Sequence, residues 1–174
     1  MKSIFRIDET LLGEVRKDLL RPHSFAHERV GFIAIKAAAG SDTLVLYAAS
    51  YHPVPDELYI RDARVGARIG QEALRRALEF ALLNSVGMFH VHIHTFGSKH
   101  LWFSEVDLRE QHQFVPDFFK VRPSMPHGAL VLSRNSMAGK VWINPADARP
   151  INEFNTIGQQ IRITHADSNG ITEF

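Results

Sequence analysis

The sequence predicts a mixed α/β fold in which helices pack against a β-sheet. Two segments, residues 8–20 and 65–84, repeat their apolar side chains with a helical period. Between and after them lie short runs in which apolar residues are consecutive or alternate, as is typical of strands. Helices that alternate with strands along a chain indicate layers of both kinds around one core.

The first half of the chain is predicted to hold two helices and a hairpin. Its elements are, in order, a helix at 8–20, strands at 30–39 and 43–51, a loop at 52–57 and the long helix at 65–84. Asp8 is placed to cap the first helix and Pro22 to end it. The sequence Gly40-Ser41-Asp42 indicates the turn of the hairpin.

The second half is predicted to be richer in strands. Its elements are a strand at 88–94, a short helix that begins at Ser104, an irregular aromatic segment at 112–125, and strands at 127–133, 138–143 and 157–164. Gly87 ends the long helix, and Asn135-Ser136 indicates the turn of a second hairpin. The polar tail after His165 is expected to fray.

Length and composition exclude several classes of protein. The 174 residues fit a single domain, expected over residues 1–174 with its core at about 8–165. The net charge of +1 predicts no nucleic-acid binding, and the absence of cysteine excludes disulfides, thiol nucleophiles and Cys-containing zinc sites. With no leader and no apolar run near the roughly 20 residues that span a bilayer, we expect a cytoplasmic protein without membrane contact.

Three histidines, His90, His92 and His94, alternate along one predicted strand. Because a strand points residues i and i+2 to the same face, two neighbouring imidazoles can converge on one metal ion. An exposed polar face, with Val91 and Ile93 turned toward the core, is the commoner reason for such a pattern. The alternation alone favours the exposed face.

Ser104 and Asp107 follow in the pattern S-x-x-D at the start of the next predicted helix. This pattern resembles a capping box, in which the two side chains satisfy backbone groups of the first turn. Asp107 has a second interpretation as a metal ligand. Two imidazoles and one carboxylate leave the fourth tetrahedral position of zinc open, as in catalytic sites.

Glu28 is the candidate general base, because a hydrolytic zinc site needs a carboxylate that accepts a proton from water without binding the metal. Residues 27–31 (HERVG) nearly match HExxH, but Gly31 stands where the second histidine belongs, which excludes that motif. The lack of cysteine also excludes a zinc deaminase of nucleobases. On its own, Glu28 is more often an ordinary carboxylate at a strand end.

Taken together and in this order, E-x-x-G, H-x-H and S-x-x-D resemble the motifs of the JAMM metallopeptidases, also called the MPN+ or JAB family. The matching positions are Glu28, Gly31, His92, His94, Ser104 and Asp107. The predicted element order is similar too, with a hairpin after the glutamate, then a long helix, a histidine strand and a helix behind the serine. The resemblance covers nearly the whole chain and is strongest to compact prokaryotic JAB-domain proteins associated with ubiquitin-like conjugation systems.

The resemblance implies a single-domain JAMM/MPN (cytidine-deaminase-like) fold, with a mixed sheet flanked by a long helix and shorter helices. It implies that His92, His94 and Asp107 bind Zn²⁺. Glu28 would then accept a proton from zinc-bound water and later donate it to the leaving amine. Ser104 would stabilise the oxyanion.

The implied substrate is the C-terminal tail of a ubiquitin-like protein, in a conjugate or a precursor. Such tails bind extended, often by pairing with a sheet edge. The implied further partners are the activating and conjugating enzymes encoded in the same operon.

The sequence departs from the family pattern between His94 and Ser104. Family members usually have a shorter segment there, often beginning with proline, whereas residues 95–103 begin here with Thr95. Gly97 is compatible with a variant loop. Choosing His90 in place of His94 as a ligand would lengthen the gap further, so His92 and His94 remain the predicted pair.

Two other functions stay open. A catalytically silent member of the same fold would serve as a protein-interaction scaffold, although such members usually lack a ligand or the glutamate. A zinc hydrolase of a small amide substrate would use the same residues. Substrate profiling would distinguish that enzyme from an isopeptidase.

Overall fold

A mixed sheet of ten strands and three α-helices forms the fold in the computed structural model, which describes residues 1–94, 101–166 and 171–173. The strands are β1 Lys2–Asp8, β2 Val30–Ala39, β3 Thr43–Pro53, β4 Gly87–Ile93, β5 His127–Leu132, β6 Ser136–Asn144, β7 Asp147–Pro150, β8 Glu153–Ile157, β9 Ile161–His165 and β10 Ile171–Glu173. The helices are α1 Glu9–Leu19, α2 Gln71–Asn84 and α3 Glu105–Val121, with a 3₁₀ turn at Asp56–Leu58. The predicted mixed α/β class is confirmed.

The histidine strand β4 lies inside the sheet, between β2 and β5. The strand order is β10-β6-β5-β4-β2-β3-β1-β8-β9, with β7 beside β6. β4 is antiparallel to β2 and parallel to β5, whereas β1 is parallel to both β3 and β8. Because β4 is paired on both sides, its backbone is fixed and its side chains can only point up or down from the sheet.

Helices cover both faces of the sheet. Phe89, Val91 and Ile93 of β4 pack in a cluster with buried residues of α1. Met88 points the other way, into a cluster with α2 and with Phe118 of α3. The histidines of β4 alternate with Phe89, Val91 and Ile93, so they lie on the opposite face of the sheet, which α2 and α3 cover. Within the part of the chain that the structure describes, no helix has both the length and the apolar character to cross a bilayer.

The elements that were predicted from a capping residue or a turn sequence are present in the structure. The helix α1 begins behind Asp8, whose Oδ1 accepts a hydrogen bond from Thr10 N at 2.8 Å. The hairpins β2–β3 and β5–β6 form where the sequence placed them, although β3 continues to Pro53.

The helix α2 begins at Gln71, so the prediction of a helix from residue 65 is wrong. Residues before it form a loop that folds back on the chain, because Ile60 N donates to Arg68 O at 2.8 Å and Gly70 N donates to Leu58 O at 2.7 Å. These bonds occupy backbone groups that a helix would need, and glycine is a poor helix former. The loop lies beside the candidate site.

The helix α3 has 17 residues, whereas the sequence predicted a short helix followed by an irregular segment at 112–125. Pro116 lies inside it, which removes one intrahelical hydrogen bond at a cost of about 3 kcal/mol. Val115, Phe118 and Phe119 are buried around that turn. Each such side chain contributes about 1.5–3 kcal/mol on burial, so their packing outweighs the break that Pro116 predicts.

The remaining differences lie near the chain ends. β1 was not predicted, and it pairs between β3 and β8. The predicted strand at 157–164 is only partly correct, because residue 157 ends β8, residues 158–160 form a turn in which Gly158 N donates to Gln160 O, and β9 begins at residue 161. β8 itself was not predicted, and it pairs with β9 in antiparallel. Ile171–Glu173, in the tail that was expected to fray, pair with β6.

His127 is a buried histidine whose hydrogen bonds fix its neutral form. Its Nδ1 accepts from Met88 N at 3.1 Å, so its Nε2 carries the proton and donates to the Arg122 carbonyl at 3.0 Å. The ring also contacts Phe118 and Phe119. Burial lowers the pKa of His127 from 6.5 to about 4.

We expect the free energy of unfolding to fall as the pH is lowered from about 6.5 to about 4, because the unfolded chain protonates at His127 before the folded protein does. Above this pH range, the stabilisation that neutral His127 provides is fully present. Within the range, His127 changes the free energy of unfolding by at most about 1.4 kcal/mol per pH unit. His127→Asn keeps an acceptor near Met88 N, so it should be less stable but depend less on pH in urea unfolding. His112→Asn, at an exposed position of α3, is the control; an unchanged slope in His127→Asn would contradict the expectation.

Candidate metal centre

His92 and His94 bring two imidazole nitrogens together at the end of β4. The distance between their Nε2 atoms is 3.1 Å. His92 is only 1% exposed, whereas His94 follows the strand and is partly exposed. The predicted alternation is confirmed, but the exposed polar face that it favoured does not form, because helices cover this side of the sheet.

Asp107, in the first turn of α3, lies next to both histidines. Its Oδ2 is 3.4 Å from His92 Nε2 and 3.6 Å from His94 Nε2. The same oxygen accepts from Ser104 N at 2.7 Å and from Ser104 Oγ at 2.8 Å, while Asp107 N donates back to Ser104 Oγ at 3.2 Å. The capping box and the contact with the histidines therefore exist together.

The three ligand atoms have the separations that one metal ion requires. The edges of the triangle formed by His92 Nε2, His94 Nε2 and Asp107 Oδ2 are 3.1, 3.4 and 3.6 Å. A tetrahedral ion with ligand bonds of about 2.0–2.1 Å holds its ligand atoms about 3.3–3.4 Å apart. The separations within this group are therefore those expected around one divalent metal ion.

Glu28 forms a second group with the same histidines. The ligand atoms of Glu28, His92 and His94 all lie within 4.8 Å of one another, so this group could hold a metal ion as well. The two groups differ in their carboxylate. The distances of 3.4 and 3.6 Å from Asp107 Oδ2 match the spacing of ligands around a single ion.

Gly66 determines where the Glu28 carboxylate can lie. The backbone N–H groups of His27 and Glu28 donate to Gly66 O at 2.8 and 3.0 Å. A Cβ atom on Gly66 would lie 2.5 Å from Glu28 Oε2, so a larger residue would displace the carboxylate. The apolar periodicity gave no sign of this role because it placed Gly66 in the long helix, although a glycine inside a helical pattern was an available signal.

Arg29 anchors the chain on the other side of Glu28. Its buried side chain pairs with Asp56 through Nη1 at 2.7 Å, and it donates to the carbonyl groups of Arg21 and Pro22 at 2.9 Å each. The hydrogen bond with Asp56 raises the pKa of Arg29. The start of β2 is therefore tied to two loops that are distant along the chain.

The site keeps its carboxylate ionised. Burial raises the pKa of Asp107, but hydrogen bonds from His92, His94 and Ser104 outweigh it, so the net pKa lies below its ordinary value. The hydrogen bond to Asp107 raises the pKa of His94. Burial lowers the pKa of His90 to about 3, so this third histidine is neutral. His90 belongs to neither group.

A cavity of about 880 Å³ opens over these residues. The loop before α2 lines one side and α3 lines the other, while β2 and β4 form the base. Cavities of this size lie within the range of protein ligand sites. The space is large enough for a segment of a peptide.

The five predicted site residues all line this cavity: Glu28, His92, His94, Ser104 and Asp107. Their chemical roles remain predictions. Thr95 and Gly97, in the predicted variant loop, lie outside the described residues.

No protein-family model matches the sequence, and no curated protein matches it. Among solved structures, the chain aligns with the N-terminal domain of STIL from Trichoplax adhaerens, at a TM-score of 0.40 and 9% identity. The alignment covers 78% of this chain and 40% of that one. At this level of similarity, neither a fold family nor a function follows from the alignment.

Both candidate groups require His92 and His94, so replacing either should remove metal binding whichever carboxylate is the ligand. We expect His92→Ala and His94→Ala each to weaken binding at least about 100-fold, since losing a direct ligand should exceed the 10–100-fold cost of losing a residue that only supports one. Metal content after gel filtration and competition with a chelator measure this. His112→Ala is the control, and wild-type occupancy in His92→Ala would refute the centre.

Proposed function

We propose that this protein is a zinc-dependent isopeptidase of the JAMM (MPN+/JAB) type, which cleaves after the C-terminal tail of a ubiquitin-like protein. One observation carries the proposal: His92, His94 and Asp107 form a triangle of the size of an ion's ligand set, and the Glu28 carboxylate lies beside it. The order of the sequence patterns supports the same family, and the JAMM/MPN fold is part of this proposal.

Zn²⁺ is the metal that the donors suit best, because imidazole and a single carboxylate favour it over hard cations such as Mg²⁺. When bound, it supplies a Lewis acid that lowers the pKa of a coordinated water to about 7. The protein holds His92 on the paired strand β4 and Asp107 in a capped helix turn, while the His94 backbone just after β4 donates to Leu132 O.

Glu28 acts as the general base in this proposal. Its carboxylate lies within 4.8 Å of both imidazoles, close enough to accept a proton from a water at the centre. Glu28 accepts the proton that water loses as the C–O bond forms. It then donates this proton to the amine nitrogen as the C–N bond breaks, so it returns to its ionised form.

Ser104 has two roles in the proposal. Its backbone N–H stays bonded to Asp107 and keeps one half of the capping box. Its hydroxyl donates to Asp107 Oδ2 in this structure. In the proposal, a rotation about one side-chain bond turns the hydroxyl to the developing oxyanion, at the cost of the bond that Asp107 N donates to Ser104 Oγ. A single donor of this kind typically changes the rate 10²–10³-fold.

The shape of the cavity favours a peptide tail over a small amide. It extends well beyond the metal ligands, along both α3 and the loop before α2. An extended tail can reach a buried centre of this kind, whereas the folded body of a ubiquitin-like protein cannot. In a cell, the activating and conjugating enzymes of such a system would be further partners, and the expected setting is the cytoplasm.

Glu28→Gln and Asp107→Asn should separate the base from the ligand. Glutamine cannot accept a proton, so Glu28→Gln should keep zinc while hydrolysis of a ubiquitin-like fusion falls at least about 100-fold. Asp107→Asn replaces a charged ligand by a neutral one, so zinc and activity should fall together. Zinc analysis and a cleavage assay on gels measure both. Loss of zinc in Glu28→Gln with retention in Asp107→Asn would reverse the assignment.

Gly66→Ala should reduce cleavage without removing zinc, because the added Cβ would displace the Glu28 carboxylate and none of the three ligands. A displacement of this kind should lower kcat about tenfold to 100-fold. Gly13→Ala in α1 is the matched control, since nothing lies within 4 Å of its added Cβ. That control should keep full activity and gain up to about 1 kcal/mol of stability. Unchanged kcat in Gly66→Ala would show that Glu28 is not held by this contact.

A further inference from the structure

Gln111 is a buried polar side chain on the α3 side of the cavity, and the candidate metal centre does not explain it. It is 1% exposed and lines the cavity. Among the residues that the structure describes, neither its amide oxygen nor its amide nitrogen has a hydrogen-bond partner. A buried amide without partners destabilises a protein, because it has lost water and gained nothing in return. Within the described part of the chain, its amide therefore keeps an unused donor and an unused acceptor in the wall of the cavity.

The position of Gln111 on α3 shows which part of the cavity it serves. Residues four apart lie on the same face of a helix, so Gln111 shares a face with Asp107. One turn further along, the ring of Phe114 lies 5.2 Å from that of His90. Gln111 therefore faces the region between the metal centre and His90, about 6 Å along the helix axis from Asp107.

We propose that Gln111 binds the main chain of the substrate's tail. This inference rests on the proposed isopeptidase function. A primary amide presents an acceptor and a donor side by side. In an extended peptide, the N–H and C=O of one residue point to the same side of the chain, so one glutamine can pair with both. Gln111 thus selects an extended tail by its backbone, whatever side chains it carries.

The tail is the part of an isopeptide that can make these bonds. The cleaved bond joins the tail to the Nζ atom of a lysine. Beyond that nitrogen, the lysine side chain consists of methylene groups, which can neither donate nor accept a hydrogen bond. On the tail side, an extended chain rises about 3.3 Å per residue, so 6 Å corresponds to about two residues. For a tail that runs along α3 from Asp107, the residue that pairs with Gln111 is therefore the third from the cleaved end.

The test combines a substitution in the protein with a change of one atom in the substrate. Gln111→Met keeps the length of the side chain and the helix propensity but removes both polar groups. The substrate is a hexapeptide ending in Gly-Gly, joined to a lysine Nζ. Four further substrates are made. In each of them, an ester oxygen replaces the backbone N–H of one of the last four residues of the hexapeptide. Zinc content, melting temperature and kcat/KM are measured for each protein.

In the wild-type protein, the ester at the third residue should lower kcat/KM about tenfold, as expected for losing one buried hydrogen bond. Gln111→Met should lower kcat/KM for the unmodified substrate by about tenfold or more, and the same ester should then have no further effect. Zinc content should not change, and the melting temperature should not fall, since an unpaired buried amide is removed. Gln160→Met, in the exposed turn between β8 and β9, should behave as wild type.

Equal ester effects in the wild-type protein and in Gln111→Met, at every position, would overturn this proposal and leave the isopeptidase function standing. Failure of the zinc-bound wild-type protein to cleave any of the substrates would overturn the isopeptidase function, and the role of Gln111 with it. Gln111→Leu is measured in parallel, so that an effect specific to methionine, or a misfolded variant, is recognised.

Discussion

The contact between the Asp107 carboxylate and the two histidines is the constraint on which the site depends. One oxygen closes the first turn of α3 and also lies within 3.6 Å of both imidazoles. The partial positive charge of a helix N-terminus favours a carboxylate there, so α3 must begin opposite the end of β4. The start of the helix and the geometry of the candidate ligands are thus one structural feature, and a change in either one alters the other.

The sequence located the candidate site because each of its parts has a short local signature. Alternation along a strand predicts that His92 and His94 share a face, and S-x-x-D predicts where α3 starts. Gly66 and Gln111 were missed because their roles arise only in three dimensions. Gly66 lies close to Glu28 although 38 positions separate them, and Gln111 is unusual only because no described polar group reaches it.

The errors in the predicted fold have a common physical origin. Apolar periodicity reports which side of a segment is buried, but other interactions decide whether the backbone is helical there. Backbone hydrogen bonds to residues 58 and 60 keep the chain before Gln71 in a loop. Around Pro116 the opposite holds, because burial of neighbouring aromatic rings maintains a helix that the local sequence disfavours. Both outcomes depend on residues far outside a window of sequence.

The buried guanidinium of Arg29 has a consequence for the entropy of catalysis. A buried charge is stable only when hydrogen bonds compensate for its lost hydration. The Arg29 guanidinium has three oxygen partners, which belong to Arg21, Pro22 and Asp56. The segments that carry them are therefore ordered together with the start of β2. The backbone of Glu28 is therefore ordered once, when the protein folds. If Glu28 transfers protons, its backbone freedom is not lost again at each turnover, and the barrier is lower by that amount.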